Sequence, residues 1–202
     1  MSTPQREFPT VAEPMPIEFV NTIYAVKGTL KDGLGHPDDL ERWLRRHGDW
    51  FVPPLPATAG IVVDAGRFER FRSLRDVCRR LMSALVEHNA PDPWDVAELN
   101  RASSLGHSWP SLRWSPGNPP SIEMVYAADV VLRAQTEIAQ EMIDLLAGAR
   151  GQLVRACRAP GCVLFFYRHH PRREWCSSGC GNRARVARHY QRHLERTADA
   201  VE

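Results

Sequence analysis

Four cysteines constrain this 202-residue chain more than any other feature. Cys157-Arg-Ala-Pro-Gly-Cys162 is followed, 13 residues later, by Cys176-Ser-Ser-Gly-Cys180. Two close pairs separated in this way have the spacing of a tetrahedral metal site. Each short loop is a turn that aims two thiolates at one point, and Pro160-Gly161 and Gly179 supply the turn chemistry. Two disulfides or four separate thiols are the competing readings, and iron also suits four thiolates. The spacing favours one structural Zn2+ held by Cys157, Cys162, Cys176 and Cys180. A closed shell of this kind leaves no position for water, so no catalysis is expected at the metal. His169, His170, His189 and His193 lie near the cysteines and read as solvated or anion-facing rather than as ligands. The fifth cysteine, Cys78, falls within an apolar helical stripe and reads as a core residue.

Charge divides the chain at the same place. Residues 1–149 hold 15 Lys or Arg against 20 acids, whereas residues 150–196 hold 11 Arg against two acids. A mildly acidic body therefore carries a strongly basic module, a split that points to a polyanion partner. After Cys180 the pattern is helical to about Ala198, with Arg185, Arg188, Arg192 and Arg196 on one side and Val186, Tyr190 and Leu194 on another. The Arg side is expected to meet duplex DNA. The Val186 side is expected to pack on a hairpin made of Val163–Tyr167 and a returning Glu174-Trp175. Arg172 and Arg173 at the hairpin tip, and Asn182 and Arg183 beside the fourth cysteine, complete the candidate nucleic-acid contacts. Asn182 and Arg183 equally suit a bracing role. The alternative is a structural zinc module whose Arg face docks on an acidic protein.

The upstream sequence reads as a helical body. Ile17–Tyr24 is a short apolar stretch, helix or strand, and Lys27–Gly35 reads as a loop. His36-Pro37-Asp38-Asp39 opens a helix that stops at Gly48, with Leu40, Trp43, Leu44 and His47 on one face. The clearest helix spans about 67–88. Phe68, Phe71, Leu74, Cys78, Leu81, Met82 and Leu85 form its stripe, and Arg70, Arg72, Arg75, Arg79 and Arg80 lie mostly away from it. Asp92-Pro93 starts a further helix with Val96 and Leu99 inward. Ser111–Trp114 and Ser121–Tyr126 suit a small hairpin around Pro116-Gly117-Asn118. A last helix, from about Ala127 to Leu146, buries Ala127, Val131, Ala134, Ile138, Met142 and Leu145, and Gly148 and Gly151 mark a boundary. No Gly-rich phosphate loop, G-x-S-x-G or His-Glu-x-x-His occurs, and His36, His107 and Asp64 are scattered, so an enzyme is not expected. No apolar run suits a membrane span, and Met1–Pro16 carries no signal-like segment, so a cytoplasmic protein is expected.

Trp175-Cys176-Ser177, then Cys180-Gly181-Asn182-Arg183 and a basic helix, resembles the CGNR zinc finger family over about residues 155–194. Members of that family commonly place four residues between the third and fourth cysteines. This chain has three, which stays within structural zinc spacing. Upstream, Phe19-Val-Asn-Thr22, Asp39-Leu40 with Trp43-Leu44, and Leu99-Asn100 are similar to the ABATE domain that precedes this finger in bacterial proteins. The resemblance implies a bacterial transcriptional regulator. The expected architecture is mainly α (α+β). Residues 1–148 form a helix-rich, candidate ligand-sensing domain with one small β-hairpin, and residues 149–202 form a treble-clef-like finger. The expected partners are duplex DNA and a small-molecule ligand in the N-terminal domain, with no membrane.

Overall fold

A computed structural model describes residues 13–56, 60–126 and 128–199, with side chains through 193. The polar stretch 1–12, Ala127, and the side chains of Leu194 and Arg196 lie outside the described residues. The fold is mainly α: six α-helices and three two-stranded antiparallel sheets among the described residues. Two compact units make it up. One is Gly33–Gly151, and the other joins the residues up to Asp32 to those from Gln152 onward. The boundary between the units on the C-terminal side lies at Gly151/Gln152, beside the 148/149 division read from the sequence. Residues 13–32, expected in the helical body, fall in the compact unit of the cysteines.

In that unit, α1 (Met15–Val20) leads into β1 (Ile23–Val26) and β2 (Thr29–Asp32). The stretch expected to be a loop is a hairpin. Lys27 and Gly28 turn it with φ of 50° and 81°, a left-handed pair that matches the twist of the flanking strands. Further on, β5 (Val154–Ala156) and β6 (Phe165–Tyr167) pair antiparallel, and α6 runs from Ser178 to Asp199. The strand that partners Phe165–Tyr167 therefore comes from before the first cysteine, not from Glu174-Trp175. Residues 13–21 join this sheet through two side chains. The Asn21 carboxamide donates to the Phe165 carbonyl (2.8 Å) and accepts from its N–H (2.9 Å), as a third strand would. Glu13 accepts from the Tyr167 N–H at 2.8 Å. Phe19 and Ile17 are fully buried below, and the Thr22 hydroxyl closes the turn on the Phe19 carbonyl (2.8 Å).

The helical unit contains α2 (Pro37–Arg46), α3 (Ala65–Glu87), α4 (Pro93–Ser103), a hairpin of β3 (Ser108–Arg113) with β4 (Ser121–Tyr126), and α5 (Val130–Ala147). Acidic side chains cap the free N–H groups that begin each helix. Asp39 accepts from His36 N–H (2.9 Å), Asp64 from Arg67 (2.7 Å), Asp92 from Trp94 (2.8 Å) and Asp129 from Val131 (2.9 Å). The stripes expected on α3 and α5 are buried: Phe71, Cys78, Met82, Ala134, Ile138 and Met142 have essentially no exposure. Burial pushes the Cys78 thiol upward, which suits an inert core residue. Two expectations fail. Arg75 lies inside, 1% exposed, with its Nε donating to Asp76 at 3.0 Å. Val96 lies outside, and Asp95 takes the inward position, held by both faces of the Arg80 fork at 2.6–3.1 Å. A buried carboxylate needs such a partner, and α3 supplies one. No helix among the described residues is long and apolar enough to cross a membrane.

Candidate metal centre

Each knuckle is built by its own backbone. The Cys157 N–H donates to the Leu164 carbonyl (2.8 Å) and the Cys162 N–H to that of Ala159 (3.0 Å), folding the first loop. The second pair lies at the start of α6. There the Cys180 N–H donates to the Ser177 hydroxyl (3.2 Å) and the Gly181 N–H to the Ser177 carbonyl (3.1 Å). Cys180 therefore occupies the first turn of the helix, where the positive end of the helix dipole favours a thiolate. Phe166 and Ala159 are buried with the cysteines, and Leu164 and Trp175 pack against them.

The four Sγ atoms lie within 4.8 Å of one another. Cys162 and Cys176 are 3.8 Å apart, and Cys176 and Cys180 are 3.3 Å apart. A tetrahedron with Zn–S bonds of about 2.3 Å has sulfur atoms about 3.8 Å apart, so the arrangement is of metal-site size. Its electrostatics point the same way. Hydrogen bonds from Cys162 and Cys176 draw the Cys157 thiol strongly downward, while the same bonds push Cys162 and Cys176 upward. Thiols crowded in this way share their protons, and a divalent cation relieves the crowding by making every one a thiolate. Three of the four are buried. The donor set is all sulfur, soft and closed, and fits one structural zinc ion.

The flanking residues hold this shell. Arg183 donates from Nη2 to Cys180 Sγ at 3.0 Å, so it braces a ligand directly. Asn182 accepts from Arg185 on the helix surface. A Cβ on Gly181 would lie 3.1 Å from Trp175 Cδ1, so the glycine lets the indole cover the centre. Arg173, expected at an exposed hairpin tip, is committed elsewhere. Its guanidinium pairs with Glu13 at 2.5 Å, donates to the carbonyls of Tyr167 (2.9 Å) and Cys176 (3.0 Å), and stacks 5.0 Å from the Phe166 ring centroid. Arg172 stays exposed. The Val186 side of α6 does not pack on the strands: Val186 is 68% and Tyr190 62% exposed. Beyond Ala184, every α6 residue through His193 is exposed, including Arg185, Arg188 and Arg192. Sequence reasoning assigned no role to Glu13. Asn21 was visible only as part of Phe19-Val-Asn-Thr22, and the strand it completes lies 144 residues away.

A four-cysteine knuckle pair closed by a helix defines a zinc-finger protein. The CGNR zinc finger family matches residues 154–193. The ABATE family, described as "putative stress-induced transcription regulator", matches residues 13–149, and the chain belongs to it, in the arrangement with a following CGNR finger. Comparison with curated proteins gives no match.

Proposed function

We propose that this protein is a DNA-binding transcriptional regulator in which zinc is structural and α6 contacts duplex DNA. The observation that carries the reading is the exposure of α6 on all sides from Arg185 to His193, with Arg185, Arg188 and Arg192 at helical spacing on one side. A helix fits the major groove, and Arg pairs bidentately with phosphate and with guanine. Exposed Arg172 and the surface residue Asn182 extend the contact. Arg183 and Arg173, bound to Cys180 and Glu13, act by holding the finger rigid. The ABATE family description supports a regulatory role. No catalytic step is assigned, because a four-thiolate zinc has no open position at which to activate water.

The test is duplex DNA binding by the zinc-loaded chain over a range of salt. Each phosphate-binding Arg removed should lower the salt slope by about one unit. The Arg185→Ala/Arg188→Ala/Arg192→Ala variant should keep its zinc and its fold and lose affinity for every sequence. Equal binding by variant and wild type at low salt would remove α6 as the reading surface. A second reading, docking on a protein partner, is favoured by exposed Val186 and Tyr190 on the same helix. It takes first place if neither form binds DNA.

A further inference from the structure

The helical unit contains a cleft of about 240 Å³ where α3, α4 and α5 converge. Its floor is apolar, formed by Leu74, Val77 and Ala102, with one exception. Gln135 of α5 lines the cleft, is 3% exposed, and has no hydrogen-bond partner for its carboxamide among the described residues. A primary carboxamide carries two donors and an acceptor, and this one opens onto the cleft, where a ligand group can meet them. Apolar residues occupy the neighbouring positions on this face of α5, Val131, Ala134, Ile138 and Ala139, so Gln135 is the polar exception on it.

The rim supplies charge. Glu98 is held by Arg101 at 2.7 Å, and Glu69 lies 3.4 Å from Arg72. Both rim carboxylates are thus already paired. Arg70, exposed on the same wall of α3, has no ion-pair partner among the described residues, and the neighbouring Ser73 hydroxyl has no hydrogen-bond partner among them. The cleft therefore offers an unpaired guanidinium at its mouth, an unpaired carboxamide at its floor, and apolar walls between them.

We propose that this cleft binds a small carboxylate with a hydrogen-bonding group at its far end. The carboxylate meets Arg70 as a two-point fork, and the far group completes the Gln135 carboxamide. The volume limits the ligand to a short chain. The proposal is independent of DNA binding and concerns a unit that does not hold the metal.

Succinamate, a carboxylate at one end and a primary carboxamide at the other, is the probe, and butyrate is the control that lacks the amide. The zinc-loaded full chain is titrated with each while the Gln135 side-chain amide and Arg70 Nε–H signals are followed by NMR. Succinamate should shift both signals saturably and bind at least about ten-fold more tightly than butyrate, because butyrate has no group to pair with the Gln135 amide. Gln135→Leu should bring succinamate to the butyrate level and leave the melting temperature unchanged or higher. Arg70→Ala, at an exposed position, should weaken succinamate by about ten-fold or more without affecting the fold. Absence of a saturable shift at millimolar probe overturns the proposal, as does undiminished binding by either variant. A Gln135→Leu chain that melts lower or fails to fold also overturns it, since the carboxamide would then serve the fold rather than a ligand.

Discussion

Arg183 shows how a single side chain can be pulled between two roles. It belongs to an Arg-rich module, yet its guanidinium lies 3.0 Å from Cys180 Sγ, where a positive charge stabilises a thiolate ligand. The cysteines themselves separate cleanly by environment. Cys176→Ser should lose the metal and unfold the finger, because binding energy on the order of 10 kcal/mol is coupled to its folding. Cys78→Ser, in the core of the other unit, should leave zinc content at about one equivalent per chain and lower only the melting temperature of the helical unit. Metal analysis with circular dichroism checks both, and the opposite pattern would void the ligand assignment. His47 gives a residue-level pH dependence. Its ring lies between Trp43 and Trp50, with centroids 4.5 and 4.3 Å away, and Nδ1 is 2.8 Å from the Trp43 carbonyl. Burial is the main cause that lowers its pKa below the ordinary imidazole value of 6.5. Between the folded value and 6.5 the unfolded chain binds the proton more readily, so acidification through that window destabilises the helical unit and alkaline pH does not. Urea midpoints measured from pH 7.5 to 5 should fall more for wild type than for His47→Gln; parallel profiles would remove His47 as the cause.

The elements around the metal depend on segments far away in sequence, and Asn21 is the clearest link. It sits just after α1 and satisfies both backbone groups of Phe165 in β6. Asn21→Ala should leave that N–H and carbonyl unpaired, at a cost of about 1–3 kcal/mol. Hydrogen exchange at the Phe165 amide should then speed up by one to two orders of magnitude while amides in α3 and α5 keep their rates. Unchanged exchange at Phe165 would mean that β5 alone holds the strand. The same contact explains what the sequence leaves hidden. Local patterns found α3, α5 and the β3–β4 hairpin because each carries its own period, caps or turn residues. The knuckles were legible because Cys spacing is itself a local constraint. The partner of β6 was not, since β5 is three residues long and carries no alternation. Nor was the inward turn of Arg75 or Asp95, because a charged residue enters a core only when tertiary structure brings a partner. Val186 and Tyr190 misled in the other direction: helical spacing of apolar residues signals a buried face only if something covers it.

At the scale of the whole molecule, the chain crosses between its two compact units twice, near Asp32 and near Gly151. Residues 13–32 reach the finger through the Glu13–Arg173 ion pair, whose side chains are 8% and 11% exposed, and through the Asn21 pairing with Phe165. A finger cut out at residue 149 would therefore lack one wall of its own unit, losing the Glu13 carboxylate that pairs with Arg173 and the Asn21 carboxamide that pairs with Phe165. Limited proteolysis puts this to the test. A single cut between Gly148 and Gly151 in the zinc-loaded protein should give two fragments that co-elute on a sizing column, because the N-terminal fragment still supplies α1, β1 and β2 to the finger. Removing zinc with a chelator should release them, since folding of the cysteine unit is coupled to the metal. Glu13→Gln should weaken the association of the cut fragments while zinc is present, by leaving the Arg173 guanidinium without a charged partner. Fragments that separate with zinc bound would show that the finger folds without residues 13–32, and the two-crossing arrangement would fail.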